Sequence, residues 1–304
     1  MPTRTPSTTD HALPARGATD THVHVFDPAR FGFLAGRSYT PGAASVAALR
    51  ECHARLGLER VVLVQPSVYG TDNACILDAI AQLGPDRCRG IAVVHLERVT
   101  RHELLTLHGA GVRGIRLNLE VRHEADPVRV LAELRRAAAA VDLPGWCVQV
   151  HCAASLLPTV AQALPDFRVP LVLDHFAGLR AADADPAQPP LCTLMALLDT
   201  GRVWLKLSAF YRASIDAPGY PDLAPLARAL LQARPDRLLW GSDWPHTGGG
   251  SGARDPGRIE PFRRVDLGAS LAALRCWMPD AATLRQVLVS NPAALYGFAA
   301  EAAA

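Results

Sequence analysis

Asp20-Thr-His-Val-His-Val-Phe-Asp27 is the first strand-forming stretch of this 304-residue chain. In an extended segment successive side chains alternate faces, so His22 and His24 share one side while Thr21, Val23 and Val25 pack on the other. Two imidazoles held side by side suit a divalent metal, or a set of donors aimed at one carbonyl oxygen. A His-x-His on a strand is common by chance, so its meaning depends on what later strands bring to it.

Seven further apolar runs of strand length follow, at 60–65, 90–95, 114–119, 146–151, 169–175, 203–208 and 237–243. Stretches with helical spacing of apolar residues separate them, at 44–56, 73–83, 101–109, 127–141, 155–163, 191–198 and 223–233, and two more at 267–277 and 281–289 finish the chain. Asp126 is placed to cap the helix at 127–141. Eight strand–helix units without a break in composition predict an α/β fold, a (β/α)8 TIM barrel in a single domain over 18–304, after a disordered tail at 1–17 rich in Thr, Pro and Ser. No Gly-x-Gly-x-x-Gly follows the first strand, which argues against a dinucleotide fold. The irregular segment 28–41 is too long for a tight connection, and such loops often cover a site.

Composition narrows the classes. A formal charge of +2, with no basic run interleaved with aromatics, sets nucleic acid aside. No apolar stretch reaches the roughly 20 residues of a membrane span, and the N-terminus lacks the apolar core of a signal peptide. Seven scattered cysteines with no Cys-x-x-Cys suggest reduced thiols and a cytoplasmic protein. A homo-oligomer is compatible with the sequence.

Polar residues fall where a barrel builds its active site. Gln65, Asn118, His151, His175, Ser208 and Asp243 each occupy the last one or two positions of their strands. The period-2 pattern of the last strand puts Leu239, Gly241 and Asp243 on one face, so the glycine leaves room beneath a carboxylate; a helix-capping turn is the competing reading of this segment. Gln149 and His151 share a face of the fifth strand. His22, His24, His151 and Asp243 together would give one divalent ion three imidazoles and a carboxylate with a position open for water, and zinc suits that set. A hydrogen-bonded polar cluster without metal is the alternative. His175 is taken as the inward residue in preference to Asp174, and His246 borders the pocket or belongs to a loop. Arg116, Arg122 and Arg212 converge on the same rim, which suggests an anionic substrate. Lys206, the only lysine, is read as a buried partner for a carboxylate inside the barrel.

Thr21-His22-Val23-His24, Val64-Gln65-Pro66-Ser67 with Gly70-Thr71-Asp72-Asn73, Arg113-Gly-Ile-Arg-Leu-Asn118, Leu173-Asp-His175 and Trp240-Gly-Ser-Asp-Trp-Pro-His246 together resemble the amidohydrolase superfamily. Within it the chain is similar to the 2-pyrone-4,6-dicarboxylate lactonase group, from about residue 18 to Asn291-Pro292-Ala-Ala-Leu-Tyr-Gly297. The resemblance implies a barrel that hydrolyses, or in some members isomerises, lactones of small acids. It implies that Asp243 activates water, that His22, His24 and His175 surround the carbonyl, that Arg116, Arg122 and Arg212 hold carboxylates, and that Tyr39 and Ser67 lie near the pocket. Two departures limit the transfer: Gly178 stands where those lactonases have an arginine, and His151 has no counterpart in an enzyme group that works without metal.

The expected function is hydrolysis of a small carboxylated lactone by water activated by Asp243 or by a metal. The alternatives are a metal-dependent decarboxylase of an unsaturated or aromatic carboxylic acid, a lactone isomerase, and a binding barrel without activity. The segment 247–257, with glycines at 248, 249, 250 and 252, reads as a mobile lid or as a surface insertion.

Overall fold

Eight parallel strands pair in the order of the sequence: β1 (Thr19–Val23), β2 (Arg60–Val64), β3 (Cys88–Ala92), β4 (Val112–Asn118), β5 (Cys147–His151), β6 (Leu171–Leu173), β7 (Val203–Ser208) and β8 (Leu238–Gly241). The computed structural model describes residues 16–249 and 255–299. The sheet closes on itself, because β8 and its continuation bond back to β1. The Thr21 hydroxyl donates to the Trp240 carbonyl at 2.7 Å, the Asp243 N–H to the His22 carbonyl at 2.9 Å, and the His24 N–H to the Trp244 carbonyl at 2.8 Å. The chain is therefore a (β/α)8 barrel.

Glycine makes this seam. A Cβ at Gly241 would lie 2.7 Å from the His22 Cβ and 2.9 Å from its backbone nitrogen, closer than side chains pack. The space left by the missing side chain is thus taken by β1, and the strand spacing around His22 depends on it.

A helix follows each strand: Val46–Leu56, Ala74–Leu83, Arg101–Gly109, Pro127–Ala140, Leu157–Ala163, Pro189–Asp199, Ala224–Ala233 and Leu267–Trp277. Their starts are chemically marked. Ser45, Asp126 and Asp266 accept hydrogen bonds from first-turn amides, and Thr100 with Glu103 forms a capping box. The expected helix over 281–289 runs on to Tyr296, as Ala281–Arg285, a π turn at Gln286–Ser290 and Asn291–Tyr296. Asn291 ties this segment to the start of β8, its amide donating to the carbonyls of Pro235 and Leu238 at 2.8 and 2.7 Å.

Alternation along the strands creates two apolar layers. Val62, Val64, Ile91, Cys147, Val172 and Leu239 fill the barrel, while Val61 and Leu63 belong to the outer core beneath the helices. Leu295, Tyr296 and Phe298 pack into the inner layer, and Arg89 fixes this C-terminal segment by donating to the carbonyls of Tyr296 and Gly297 at 3.1 and 2.7 Å. A packed interior and a fixed C-terminal segment leave the C-terminal rim of the strands as the place for chemistry.

The loop 28–41 is not wholly irregular, because Thr40–Pro41 pairs with Ile259–Glu260. Residues 1–15 of the expected tail and 250–254 of the expected lid lie outside the described residues. All seven cysteines are free thiols, and no helix among the described residues is long and apolar enough to cross a membrane.

Candidate active site

The rim is assembled from β1 outward. Asp20 is fully buried, and its Oδ1 accepts from the backbone N–H of His22 at 3.2 Å and of Ser242 at 2.8 Å. One carboxylate thereby ties the first strand to the turn after the last one. At Asp243 the chain leaves the strand with φ 61°, a left-handed conformation that aspartate tolerates better than most residues.

Three imidazoles meet that carboxylate. Asp243 Oδ1 lies 3.5 Å from His22 Nε2, 3.6 Å from His24 Nε2 and 3.8 Å from His175 Nε2. The other ring nitrogens are held from outside the cluster: His24 Nδ1 pairs with the Val64 carbonyl at 2.8 Å, and His175 Nδ1 with the Ser208 hydroxyl at 2.8 Å. The second carboxylate oxygen of Asp243 accepts from the Tyr211 hydroxyl at 2.5 Å, with Arg212 Nε at 3.6 Å. Asp243 therefore has one oxygen satisfied by donors and one facing nitrogens.

Beneath this layer lies a buried charge network. Asp174 Oδ2 accepts from Arg116 Nε at 3.1 Å and from the Gln149 amide at 3.0 Å, and Lys206 donates to Gln149 Oε1 at 2.7 Å. Asp174 Oδ1 is 3.2 Å from His22 Nδ1 and 3.6 Å from Lys206 Nζ. The Lys206 ammonium lies 3.4 Å from the same Nδ1, so this ring nitrogen faces a carboxylate and an ammonium together.

Burial dominates the protonation states. It pushes the His22 imidazole down to about 4 and that of His175 well below its usual range, so both rings are neutral at pH 7. Burial alone would raise the carboxyls of Asp174 and Asp243. For Asp174 the surrounding His22, Lys206 and Arg116 outweigh it, and for Asp243 it is His175, His24 and Arg212 that do so; both stay ionised. Lys206 is lowered by burial to about 8, which still leaves an ammonium at neutral pH.

The donor set fits a small cation. His22 Nε2 is buried without a hydrogen-bond partner and faces an ionised oxygen, an arrangement that a positive charge between them would relieve. Two ligand atoms at about 2.0–2.1 Å from a tetrahedral zinc lie about 3.3–3.4 Å apart, close to the spacing seen here. His22, His24 and Asp243 form one group able to hold a metal, and His22, Asp174 and His175 form another. His151 is in neither group. Its ring packs edge-on against His175 at 4.7 Å between centroids, and Nδ1 faces Arg116 at 3.5 Å.

The other expected site residues separate by depth. A cavity of 190 Å³ at the rim is lined by His24, Tyr39, Ser67, Arg116, His151, His175, Arg212 and Asp243. Gln149 is one level lower, fully buried in the Asp174 network. Arg122 lines an adjoining cavity instead and grips both oxygens of Glu133 at 2.7 and 2.9 Å. His246 is buried on the far side of Asp243, lining a different cavity with Trp244 and Phe262. Gln65 is structural, since its amide holds the loop carbonyls of Gly70 and Asp72 at 3.0 and 2.7 Å. The buried-partner reading of Lys206 agrees with the network described above.

Two participants lie beyond what alternation reveals. Asp174 and His175 both point inward, whereas a strand would turn one of them out; β6 ends at Leu173 and His175 has φ 52°, which reverses the alternation. Tyr211 carries no motif signal. It reaches Asp243 because Ala209 (φ 51°) folds the chain back after β7.

Known proteins resemble this chain along nearly its whole length. The 4-sulfomuconolactone hydrolase of Rhizobium radiobacter is 36% identical over 288 residues, covering 94% of this chain and 91% of the relative. The 2-pyrone-4,6-dicarboxylate hydrolase of Comamonas testosteroni is 33% identical, covering 96% and 93%. A Pseudomonas putida crystal structure assigned as a 2-pyrone-4,6-dicarboxylic acid hydrolase superposes with a TM-score of 0.75 at 30% identity, covering 94% of this chain and 99% of that one. The family model described as Amidohydrolase matches residues 19–298, and the chain belongs to that family.

Proposed function

We propose that this protein is a hydrolase that opens the ring of a small carboxylated lactone, with Asp243 as the base that takes a proton from water. The observation that carries the proposal is the convergence of His22, His24 and His175 on the single oxygen Asp243 Oδ1, at the floor of a rim cavity that also presents Arg116 and Arg212. The named activities of the two relatives, both lactone hydrolases, support the same reaction class.

The chemistry follows from the donors. Arg116 and Arg212, with Tyr39 and Ser67, would hold the substrate carboxylate and so place the ring carbonyl against the imidazoles. Asp243 Oδ1 accepts the proton as the water oxygen bonds to the carbonyl carbon, while Tyr211 and Arg212 steady the other oxygen and fix the carboxylate plane. His175, whose Nδ1 can accept from the Ser208 hydroxyl and so leave an Nε2–H, would face the carbonyl oxygen as it gains charge. When the ring C–O bond breaks, the proton passes from Asp243 to the departing ring oxygen, giving a hydroxy or keto acid. His22, His24 and Asp243, with His175 beside them, would hold one divalent ion, for which zinc suits the nitrogen and oxygen donors. Such an ion, when bound, polarises a carbonyl and lowers the pKa of water to about 7.

The test is a panel of carboxylated lactones followed by acid release at constant pH, with Asp243→Asn as control. Turnover with release of acid and without carbon dioxide is expected, and the variant should lose it. Unchanged turnover in Asp243→Asn removes the catalytic assignment, and carbon dioxide release would point to a decarboxylase. Metal analysis of protein purified without a histidine tag, with chelator treatment, tests the ion separately; full activity with none bound eliminates it.

A further inference from the structure

The catalytic cavity has a neighbour at the rim. A second chamber of 390 Å³ opens beside it, and the two share Ser67, Arg116, Asn118 and Val121 in their walls. At 190 Å³ the first cavity is smaller than the roughly 300–1,000 Å³ common for small-molecule sites, a range that the chamber brings within reach.

The added wall is mostly carbon, from Leu34, Val93, Val94, Leu96 and Leu117. It is also held in place. The Leu34 N–H donates to the Val68 carbonyl at 2.8 Å, and Asn73 bonds both the N–H and the carbonyl of Val93, at 3.0 and 2.9 Å. Arg116 borders both cavities and faces the substrate carboxylate in the first, while the chamber's other two cationic groups are committed to partners within the protein. Arg37 donates to Thr40 and to the carbonyls of Leu34 and Pro256, and Arg122 is matched to both oxygens of Glu133. A second substrate anion would have to displace Glu133, whereas an apolar group would only displace water from carbon walls.

We propose that this chamber is a substrate subsite that takes an apolar alkyl or aryl arm of the lactone whose carboxylate and ester lie in the catalytic cavity. The proposal rests on the lactonase reading and narrows its substrate class from compact diacids to monoacids with an apolar extension. The arm would cross from one cavity to the other at Ser67, Asn118 and Val121, which border both.

The test is a series of five-membered lactones carrying one carboxylate and, on the opposite ring position, an arm lengthened from hydrogen to n-butyl, beside a compound with a second carboxylate there. Each methylene should raise kcat/KM about fourfold as it leaves water. Val94→Trp fills the chamber without touching the catalytic cavity, and it should flatten that dependence while changing turnover of the unsubstituted parent by less than about twofold. A flat series in the wild type, or a diacid that surpasses the alkyl compound of equal length, overturns the subsite. If the parent lactone and all its derivatives are inert, the lactonase reading itself falls, a result distinct from hydrolysis without length dependence.

Discussion

Gly241→Ala is the substitution that separates a barrel whose site depends on its seam from one in which the seam is incidental. The new Cβ would sit 2.7 Å from the His22 Cβ, and ordinary contact begins near 3.4 Å, so β1 and β8 must part by about 0.7 Å. Neither side yields readily: β1 is bonded across the seam by Thr21, His22 and His24, and Asp20 fixes both its own strand and Ser242. Overpacking of this kind costs about 1–3 kcal/mol. We expect a value near the upper end, because the obstructing atoms include backbone.

The same displacement acts on the chemistry. His22 Nε2 and Asp243 Oδ1, now 3.5 Å apart, sit on the two strands being separated, and a misplacement of about 1 Å can cost about 100-fold in rate. Urea unfolding and kcat/KM on the best lactone measure both effects, with Gly36→Ala as control, since nothing lies within 4 Å of a Cβ there. If Gly241→Ala stays within about 0.5 kcal/mol of wild type and retains full kcat/KM, the seam is not what positions the site.

Three other outcomes follow from the geometry. Tyr211→Phe removes a hydroxyl that donates to Asp243 at 2.5 Å, a bond to a charged group worth about 1.5–3 kcal/mol; kcat/KM should fall about 10- to 100-fold and its acid limb move to higher pH, and an unmoved limb would show that this hydroxyl does not hold the carboxylate. His22 and His246 are buried and depressed to about 4, against about 6.5 in the unfolded chain, so the unfolded state takes up protons first and stability drops as pH falls from 6.5 to 4, by up to about 3 kcal/mol for each group; denaturation midpoints that stay level across this window contradict it. Gly178→Arg, which would restore the arginine of the lactonases this sequence resembles, should destabilise the fold by more than about 1 kcal/mol without improving diacid turnover: Gly178 has φ 77°, and its Cβ would meet the backbone of Cys152 and Ala154 at 2.7 Å. A thermal melt at the wild-type midpoint would refute that.

The barrel was legible because its signal is repeated. Each of the eight strands is a short apolar run followed by a helical stretch, and an error at any boundary, such as β6 being only Leu171–Leu173, leaves the count intact. Lys206 could be read as a buried partner because a lone lysine in an apolar strand must find a carboxylate or be costly. Arg122 misled for the opposite reason. Its position after β4 matches a rim residue, but Glu133 lies eleven residues on in the next helix, and nothing in local spacing announces that the two will pair.

The deeper limit is the backbone conformation at strand ends. Period-2 reading assigns one of two adjacent residues to the barrel interior, so it had to choose between His175 and Asp174. The structure uses both, since His175, Phe176, Ala177 and Gly178 all have positive φ directly after β6. A left-handed residue without glycine costs about 1–2 kcal/mol, and such residues recur at Ala209 after β7 and at Asp243 and His246 after β8. Three neighbouring strands thus end in the same disfavoured conformation, and the side chains delivered there are His175, Asp174, Tyr211 and Asp243. A relaxed exit from each strand would turn every second one of these groups away from the cavity. Strain concentrated at the rim is therefore the condition for placing two charged layers, Asp174 below and Asp243 above, at the two ring nitrogens of His22, and the rest of the barrel must be stable enough to hold it.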